Sequence, residues 1–480
     1  MVHFTLTKYR TETYQGMVSV LKIIRSWFRI SPTKHVQEAA FIRLKTVAPL
    51  KPEVIEASAG NLHVTSPFIC REAILDRNER IGGYNFALGR KLKSRMLEKS
   101  VLIRRAYDDA MLLNLASLGM PSLLGDRFIF IRLSSDSLSN PLLKTFAHSN
   151  TFIMISPSSI TGRDLVAMDH ELQNLAELGL KHGWTIDRPH PELSELLHKS
   201  NLIEIDTTAL DGIQLKMMYR DFRKSNEKLK IMASELQSSD DFNLCYHCGF
   251  DYFMGPFVTS REKWRPAKSE INRLLVFEVL NLIRDGAEFN TIASCLRKEP
   301  ILTFKLLRYI NSPAFGFHQN FNDISQALLI LGKDKIYRWL SLLLFDFNQP
   351  GYQARVLIEQ SLMRARFMEL LAGHGHISAF ADQLFITGLF SLLDSLMGQP
   401  LTEVLQQVSL PQAVVAALKS GPGNLYDALS LSVAIESTNP EEIAVAAAQC
   451  GLDASIVSEL MIEALAWTQQ IIATANNFDT

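Results

Sequence analysis

The stretch that decides the fold is IMASELQSSDDFNLCYHCGFDYFMGPF, which runs from Ile231 to Phe257. Two short β-rich runs, KIMAS and FDYFM, enclose the helical segment DDFNLCYHCG. A strand, a helix and a second strand form the unit from which parallel sheets are built. The same alternation fills residues 67–260, where further β-rich runs are FICREAILD, RFIFIRL, FIMIS, WTID and LIEID. Roughly 190 residues of this pattern predict a small closed barrel.

After about residue 261 the pattern changes to long helical periods without a convincing strand. Pro is tolerated in a first helical turn and disfavours helix for the residue before it, here Glu299, so one helix ends and another begins at Pro300. We therefore expect a barrel domain over residues 67–260 and an all-helical domain over 261–480. Residues 1–66 form an N-terminal extension.

The extension contains one periodic segment, Met17 to Ile30, with the sequence MVSVLKIIRSWFRI. Its polar and basic residues share one helical face, so the segment predicts a basic amphipathic helix. Such a helix could lie on an anionic membrane surface. We favour packing on the following domain or on a partner, and membrane contact through this segment is not expected.

Composition limits the classes of partner and compartment. The 480 residues suggest about three structural units. Lys and Arg (49) nearly cancel Asp and Glu (50), so no nucleic-acid partner is expected. The sequence has neither a run of about 18 apolar residues nor the order of a secretory signal. Five scattered cysteines fit a reducing compartment, and we predict a cytoplasmic protein.

The CxxC pair, Cys245 and Cys248, is compatible with three chemistries. A zinc site would need two further ligands, and only His247 lies nearby. A redox pair would require a helix amino terminus to lower the thiol pKa, whereas this pair comes late in a helix. Buried structural cysteines are therefore the favoured interpretation.

Several tracts carry a family resemblance. Arg71–Gly89 (REAILDRNERIGGYNFALG), Leu202–Asp211 (LIEIDTTALD) and the opening stretch resemble the EAL family of cyclic di-GMP phosphodiesterases. Leu296–Gly332 and Leu384–Leu401 resemble the HDOD family, which is related to HD-type metal phosphohydrolases. The resemblance implies a multidomain bacterial signalling protein. A degenerate TIM-like (β/α) barrel of EAL type would precede an all-helical HDOD domain.

EAL enzymes, as the resemblance implies, hold two divalent cations with carboxylates and an asparagine. The family's functional positions fall here on Asn85, Arg132, Met154, Asp187, Arg188, Glu204, Asp206, Gln237 and Met254. Only Asp187 and Asp206 keep a carboxylate on the family pattern. Gln237 replaces the catalytic glutamate, and a primary amide cannot act as a general base near neutral pH. We therefore expect no catalytic residue, no metal site and no cofactor.

Two interpretations remain for the charged residues of this set. Asp187, Glu204 and Asp206 could form internal ion pairs with Arg132 and Arg188 in place of the metals, which we favour. Alternatively, the two arginines could capture an anionic ligand, because a guanidinium suits bidentate contacts with phosphate or carboxylate.

The HDOD half also lacks the ligands of its enzymatic relatives. No His precedes Asp anywhere in the chain. The HD dyad would fall near Ser391 and Leu392, and an earlier histidine ligand near Gln360. His374 and His376 form an HxH between glycines that mark a helix end, which predicts an exposed turn rather than a metal site.

Four further residues carry side chains that occur in binding sites. Asp394 and His318 are predicted to be structural or exposed rather than ligands. Tyr337 and Trp339 are candidates for a surface anchor on a partner, with burial in the core favoured.

The function expected from these features is that of a non-catalytic adaptor or regulator. It would act through a regulatory protein partner whose identity the sequence does not give, in connection with cyclic di-GMP signalling. The alternative is a receptor that binds cyclic di-GMP or another anion in the vestigial pocket without hydrolysis. A third hypothesis is residual phosphodiesterase activity. Assembly into a homo-oligomer is left open.

Overall fold

The computed structural model describes a large part of the chain. The described residues are 69–87, 100–117, 119, 127–147, 150–157, 165–260, 272–310, 321, 323–345, 351–437 and 439–477. The predicted helix Met17–Ile30 and His318 lie outside the described residues, so the predictions for them are not tested.

Eight strands form a closed barrel in which neighbours in the sequence are also neighbours in the sheet. The strands are β1 (Cys70–Asp76), β2 (Ile81–Ala87), β3 (Phe128–Leu133), β4 (Thr151–Ile155), β5 (Lys181–Ile186), β6 (Leu202–Asp206), β7 (Lys230–Ser234) and β8 (Tyr252–Met254). Strands β2 to β8 run parallel, whereas β1 is antiparallel to both β2 and β8. The predicted barrel is confirmed, but its sheet is not wholly parallel.

The departure has a local cause in the β1–β2 hairpin. Asp76 Oδ1 accepts hydrogen bonds from the backbone N–H groups of Asn78 (2.8 Å) and Arg80 (3.0 Å), which closes a tight turn. Strand β2 was absent from the predicted β-rich runs because its glycines have low β propensity. A Cβ atom at Gly83 would lie 2.4 Å from the carbonyl oxygen of Phe128, so the strand requires glycine there.

Helices α1 (Val101–Ser117), α2 (Leu165–Glu177), α3 (Ser194–His198), α4 (Gly212–Ser225) and α5 (Ser239–Cys248) belong to the barrel region. The opening stretch forms β7, α5 and β8, as predicted. A capping box between Ser238 and Asp241 begins α5, and Gly249 ends it in the left-handed conformation at φ 106°.

Alternate side chains of the strands fill the barrel interior. Phe130 and Phe152 stack with their ring centroids 4.9 Å apart. Met154 and Met254, two of the positions picked out by the family resemblance, are buried in the same hydrophobic cluster. Their thioethers therefore contribute to packing in the layer beneath the carboxyl ends of the strands.

The rest of the described chain is helical. Its helices are α6 (Arg273–Arg284), α7 (Phe289–Leu296), α8 (Pro300–Ile310), α9 (Ile324–Leu331), α10 (Lys333–Leu343), α11 (Tyr352–Leu370), α12 (Ala381–Phe390), α13 (Leu393–Met397), α14 (Leu401–Val404), α15 (Gln412–Leu418), α16 (Asn424–Ser437), α17 (Pro440–Gln449) and α18 (Ala454–Asn477). Within residues 272–477, as far as they are described, no strand occurs, which agrees with the predicted all-helical half. Helix α8 begins at Pro300, as predicted.

Two compact units divide the chain. The described part of one unit contains α6 to α10. The other contains the barrel together with α11 to α17 and α18 as far as Gln469. Trp339 of the first unit is 5% exposed and belongs to the core, as favoured, while Tyr337 is half-buried. The predicted domain boundaries near residues 66 and 260 remain predictions.

Among the described residues, no single helix combines the length and apolarity needed to cross a bilayer. One bent pair, Pro440–Gln449 with Ala454–Ile472, meets the criterion only when its two helices, 100° apart, are taken together.

Candidate functional site at the barrel mouth

The carboxyl ends of β2 to β8 meet at one end of the barrel, here called the barrel mouth. In barrels of this type, polar side chains that act on ligands project from that end. Because strand side chains alternate between the two faces, Arg132 lies on the same inner face of β3 as Phe130, one layer nearer the mouth. Asn85, Thr185 and Glu204 approach it from β2, β5 and β6.

Arg132 is the centre of a hydrogen-bond network in the mouth. Its Nη2 lies 2.6 Å from Oε1 of Glu204, and its Nη1 donates to Oγ1 of Thr185 at 2.8 Å. Its Nε donates to Oδ1 of Asn85 at 3.2 Å. Thr185 in turn donates to the second carboxylate oxygen of Glu204 at 2.9 Å, and Asn85 donates to Glu72 at 3.3 Å. Each nitrogen of the guanidinium therefore has a partner.

The electrostatics favour the charged form of Arg132. Burial alone lowers the pKa of Arg132, but the attraction of Glu204, and of the more distant Glu72 and Glu235, raises it above its ordinary value. The side chain of Glu204 is 1% exposed, so the pair is shielded from water. The mouth thus contains a permanent cation with a buried carboxylate as counterion.

Three members of this environment were missed by sequence reasoning. Glu72 lies opposite Asn85 in the β1–β2 register. Thr185 lies on the inner face of β5, and Glu235 directly follows β7 with a positive φ of 61°, which is uncommon for a residue with a side chain. The alternation along β1 and β5 could have indicated the first two residues. No local pattern in the sequence indicates the unusual backbone of Glu235.

The predicted set of internal ion pairs is only partly correct. Arg132 and Glu204 pair as expected, but Asp187 and Arg188 are exposed. They follow the last residue of β5, so their side chains leave the barrel interior. Asp187 lies 3.8 Å from Nε2 of His190 instead.

The side chains of Asp206 and Gln237 form hydrogen bonds with residues close to them in the sequence. Asp206 closes a turn by accepting from the backbone N–H (3.0 Å) and hydroxyl (2.6 Å) of Thr208. Gln237 is exposed, and its side-chain amide donates to the backbone carbonyl of Glu235 at 2.8 Å. Neither side chain has a hydrogen bond to the Arg132 network among the contacts of the described residues.

A cavity of about 70 Å³ opens beside the network, between α1 and the ends of β2 to β5. Arg104 and Asp108 of α1 line it together with Arg132, Ser134 and apolar side chains. The Nε of Arg104 donates to Asp136 at 3.0 Å. Asp108 accepts from the backbone N–H and hydroxyl of Ser134, and burial raises the pKa of its carboxyl. The arginines of this cavity already have carboxylate partners.

Within the described residues, no group of three or more His, Cys, Asp or Glu side chains is arranged to hold a metal ion. Cys245 is buried, as predicted, and burial raises the pKa of its thiol to about 12. Cys248 is only half-buried. His247, the nearby imidazole, is exposed and hydrogen-bonds to the backbone carbonyl of Asn243.

Comparison with known proteins places these sites in a family context. Residues 275–410 match the model of the HDOD domain. The helical half contains an HDOD domain. The predicted order of a closed barrel followed by an HDOD domain is confirmed.

Two curated relatives match most of the chain. The cyclic di-GMP phosphodiesterase CdgJ of Vibrio cholerae is 23% identical over 84% of this chain and 93% of its own length. The uncharacterized protein YuxH of Bacillus subtilis is 23% identical over 84% of this chain and 98% of its own length. Because each match covers 84% of this chain, it extends well beyond residues 275–410.

Solved EAL structures resemble part of the chain. The EAL domain of FimX from Xanthomonas citri, in complex with c-diGMP, is 14% identical and covers 40% of this chain and 86% of that chain, with a TM-score of 0.34. A standalone EAL protein from Vibrio cholerae in its c-di-GMP bound form is 12% identical and covers 40% of this chain and 90% of that chain, with a TM-score of 0.34.

In the HDOD domain, the two positions predicted to correspond to an HD dyad carry a serine and a leucine. Ser391 accepts a hydrogen bond at 3.0 Å from Nη1 of Arg364, and Leu392 is buried. Arg364 also binds both carboxylate oxygens of Glu436, at 2.8 and 2.7 Å. Sequence reasoning did not find this pair. It holds α11 and α16 together with a bidentate contact.

Four other residues of the helical half were singled out from the sequence. His374 and His376 are exposed in a turn, as predicted. Asp394 is half-buried, and its Oδ1 has no hydrogen-bond partner among the described residues. Gln360 is half-buried on α11.

Proposed function

We propose that this protein is a signalling adaptor or regulator that acts through a protein partner rather than by hydrolysing a phosphodiester. The connection to cyclic di-GMP rests on the name of its relative CdgJ, a cyclic di-GMP phosphodiesterase. The non-catalytic role rests on the barrel mouth of this chain. Its partner would be a regulatory protein.

The Arg132–Glu204 pair is the observation that carries the proposal. A guanidinium remains charged at every physiological pH, so the pair has a fixed cation at the centre of the mouth. Two unit charges of like sign 4 Å apart repel by about 4 kcal/mol at the effective dielectric constant near a protein surface. The guanidinium alone would repel a divalent cation by about twice that amount, and Glu204, which neutralises the guanidinium, would have to leave its partner to serve as a ligand.

The donor set of the mouth does not fit two-metal hydrolysis. Asn85 is tied to Arg132 and Glu72, Met154 is packed in the core, and Gln237 offers an amide where a base is required. Removal of one contact that stabilises transition-state charge costs about a hundredfold or more in rate. Several such contacts are replaced together here, so we expect turnover at the background rate.

Hydrolysis is tested with the purified full chain, cyclic di-GMP and either Mg²⁺ or Mn²⁺. The expected result is no product above a protein-free control, with wild type and the Glu204→Gln variant alike. Metal-dependent turnover that disappears in Glu204→Gln would overturn the non-catalytic role. It would favour residual phosphodiesterase activity, the activity named for CdgJ.

The adaptor role has its own test. Cross-linking of the full chain in its host, followed by mass spectrometry, should return the same partner protein in independent preparations. Capture should be unchanged in the Arg132→Met variant and after removal of cyclic di-GMP with an added phosphodiesterase. Capture that requires the nucleotide would instead support a receptor, and the absence of any reproducible partner would contradict the adaptor proposal.

A receptor is the second candidate, because Arg104 and Arg132 both line the cavity beside the mouth. Phosphate oxygens are good partners for arginine, although an anion would compete here with Asp136 and Glu204. Calorimetric titration of cyclic di-GMP without added metal tests this. Binding that is lost in Arg104→Ala but kept in Arg188→Ala, a matched change at an exposed arginine outside the cavity lining, would support it; a flat titration would exclude it.

A further inference from the structure

A second buried network of charged and polar groups lies outside the barrel interior. We call it the seam cluster: Tyr84 of β2, Arg127 before β3, Glu359 of α11 and Gln469 of α18. Arg127 contacts both carboxylate oxygens of Glu359, at 2.9 and 3.2 Å, and also donates to the hydroxyl of Tyr84 at 3.0 Å. Gln469 donates to the same carboxylate at 2.9 Å, and the Tyr84 hydroxyl donates to it as well.

The seam cluster is well shielded from water. Tyr84 is 1% exposed and Glu359 is 5% exposed. Although burial alone raises the pKa of Glu359, the attraction of Arg127 and the hydrogen bonds from Arg127 and Tyr84 lower it below its ordinary value. The carboxylate is therefore charged, and a buried charge with this many partners is costly to separate from them. The contact between the barrel and α11 therefore includes a buried ion pair with defined partners, in addition to apolar packing.

The start of α11 is fixed to the β1–β2 hairpin as well. The backbone N–H of Tyr352 donates to the side chain of Glu79 at 3.0 Å. Arg355 donates to the backbone carbonyls of Asn78 (2.9 Å) and Glu79 (3.1 Å). The ring of Tyr352 lies 4.9 Å from that of Phe242 on α5. Since the hairpin precedes β2, its contacts with Tyr352 and Arg355 lie at the amino-terminal end of the parallel strands, away from the mouth.

The same two strands carry both networks. Tyr84 and Asn85 are consecutive on β2, so their side chains point to opposite faces of the sheet. Tyr84 joins the seam cluster and Asn85 joins Arg132 in the mouth. Arg127 directly precedes β3, and Arg132 lies near its carboxyl end. A shift of either strand that accommodates a change at one network must therefore displace residues of the other.

We propose that β2 and β3 couple the barrel mouth to α11, so that loss of the Arg132 contacts in the mouth loosens the packing of α11 at the seam cluster. A ligand or partner that draws Arg132 away from Asn85 would thereby be sensed in the helices that follow the barrel. This coupling does not depend on whether the mouth hydrolyses anything. The element that would carry the coupling is the pair of strands together with the helix packed on it.

Hydrogen exchange of the full chain, read by mass spectrometry, tests the coupling. In Arg132→Met, peptides covering residues 352–370 should exchange at least tenfold faster than in wild type, while peptides of α6 to α10 should be unchanged. Arg104→Ala, a matched loss of an arginine that pairs with Asp136 instead, should leave α11 as in wild type. Exchange of α11 that is less than tenfold faster than in wild type in Arg132→Met, or equally faster in Arg104→Ala, would overturn the proposal.

A double variant separates coupling from two independent losses. Tyr84→Phe removes only the hydroxyl that enters the seam cluster. If the networks are independent, the factors by which Tyr84→Phe and Arg132→Met speed exchange of α11 should multiply in the double variant. Coupling predicts a combined factor clearly different from that product, and a simple product would refute it. Should Arg132→Met unfold the whole chain, Arg132→Lys carries the same test, because it keeps the charge and loses the planar fork.

Discussion

His182 should make the stability of this protein sensitive to mild acid. The residue lies on the outer face of β5, is 6% exposed, and neither ring nitrogen has a hydrogen-bond partner among the described residues. Burial lowers the pKa of His182 from 6.5 to about 4, with only a small opposing attraction from Asp169. The folded protein therefore holds a neutral imidazole at a pH where the unfolded chain already binds a proton.

The sign and size of the effect follow from linkage. The pKa of His182 is lower in the folded protein than in the unfolded chain. The contribution of His182 to the free energy of unfolding therefore keeps its full value above pH 6.5 and decreases as the pH falls from 6.5 towards 4. Each pH unit of that window is worth roughly 1.4 kcal/mol, so the full loss is about 3 kcal/mol. Between pH 7.5 and pH 5 the expected loss in the free energy of unfolding is about 2 kcal/mol.

Urea unfolding at pH 7.5 and pH 5 measures this loss. The His182→Leu variant has no proton to bind, so the difference between wild type and variant isolates the ring from all other titrating groups. That difference should change by about 2 kcal/mol in favour of the variant on going to pH 5. His374→Leu, a matched change in the exposed turn, should show no such change. If wild type and His182→Leu respond to pH within about 0.5 kcal/mol of each other, the burial argument fails.

Three further predictions concern buried groups. Glu359→Gln leaves the half-buried guanidinium of Arg127 without its counterion, so thermal or urea unfolding should show a loss of about 3 kcal/mol in the free energy of unfolding. Gly388→Ala should lower the free energy of unfolding by about 2 kcal/mol, because the new Cβ would lie 2.6 Å from the backbone of Arg364. At pH 8, alkylation of Cys245 followed by mass spectrometry should be about a thousandfold slower than for a thiol with the ordinary pKa of 9.0, since burial raises it to about 12.

Matched changes elsewhere serve as controls. Glu403→Gln alters an exposed glutamate and should leave unfolding within about 0.5 kcal/mol of wild type. Gly212→Ala places a Cβ 3.6 Å from Leu244, an ordinary contact, and should not destabilise. Cys248 is half-buried and should alkylate faster than Cys245 in the native chain. Equal losses in test and control variants would show that the named contacts do not determine the outcome.

The fold could be predicted from the sequence where periodic patterns were strong. The unit of β7, α5 and β8 is visible as two apolar runs around a capped helix, and Pro300 marks a helix start by its own chemistry. Strand β2 could not be found in this way, because its two glycines weaken the local signal while the hairpin to β1 is what fixes it. The antiparallel direction of β1 depends on the turn between β1 and β2. Five residues determine that turn, so the alternation of strands and helices does not predict it.

The direction of a side chain in the site could be predicted only inside the strands, where the alternation fixes the face on which each side chain lies. Arg132 and Glu204 lie inside strands, so their side chains must face either the barrel interior or its outer layer, and their opposite charges favour pairing in a confined space. Asp187 and Arg188 lie one and two residues beyond the end of β5, where the alternation no longer dictates direction. A shift of a single residue in the strand boundary decides whether such a side chain is buried or exposed.

Buried charged residues on a helix are the feature of this fold that is hardest to predict from the sequence. Glu359 and Arg364 lie on α11 among apolar residues, and nothing in their chemistry distinguishes them from solvent-exposed members of a polar face. Their burial follows from what packs on each side of α11: the barrel at Tyr84 and Arg127, and α16 at Glu436. A helix buried on several sides must satisfy each charge with a partner from another element. Thus the residues that attach α11 to the barrel become recognisable only once those partners are known, although each partner is present in the printed sequence.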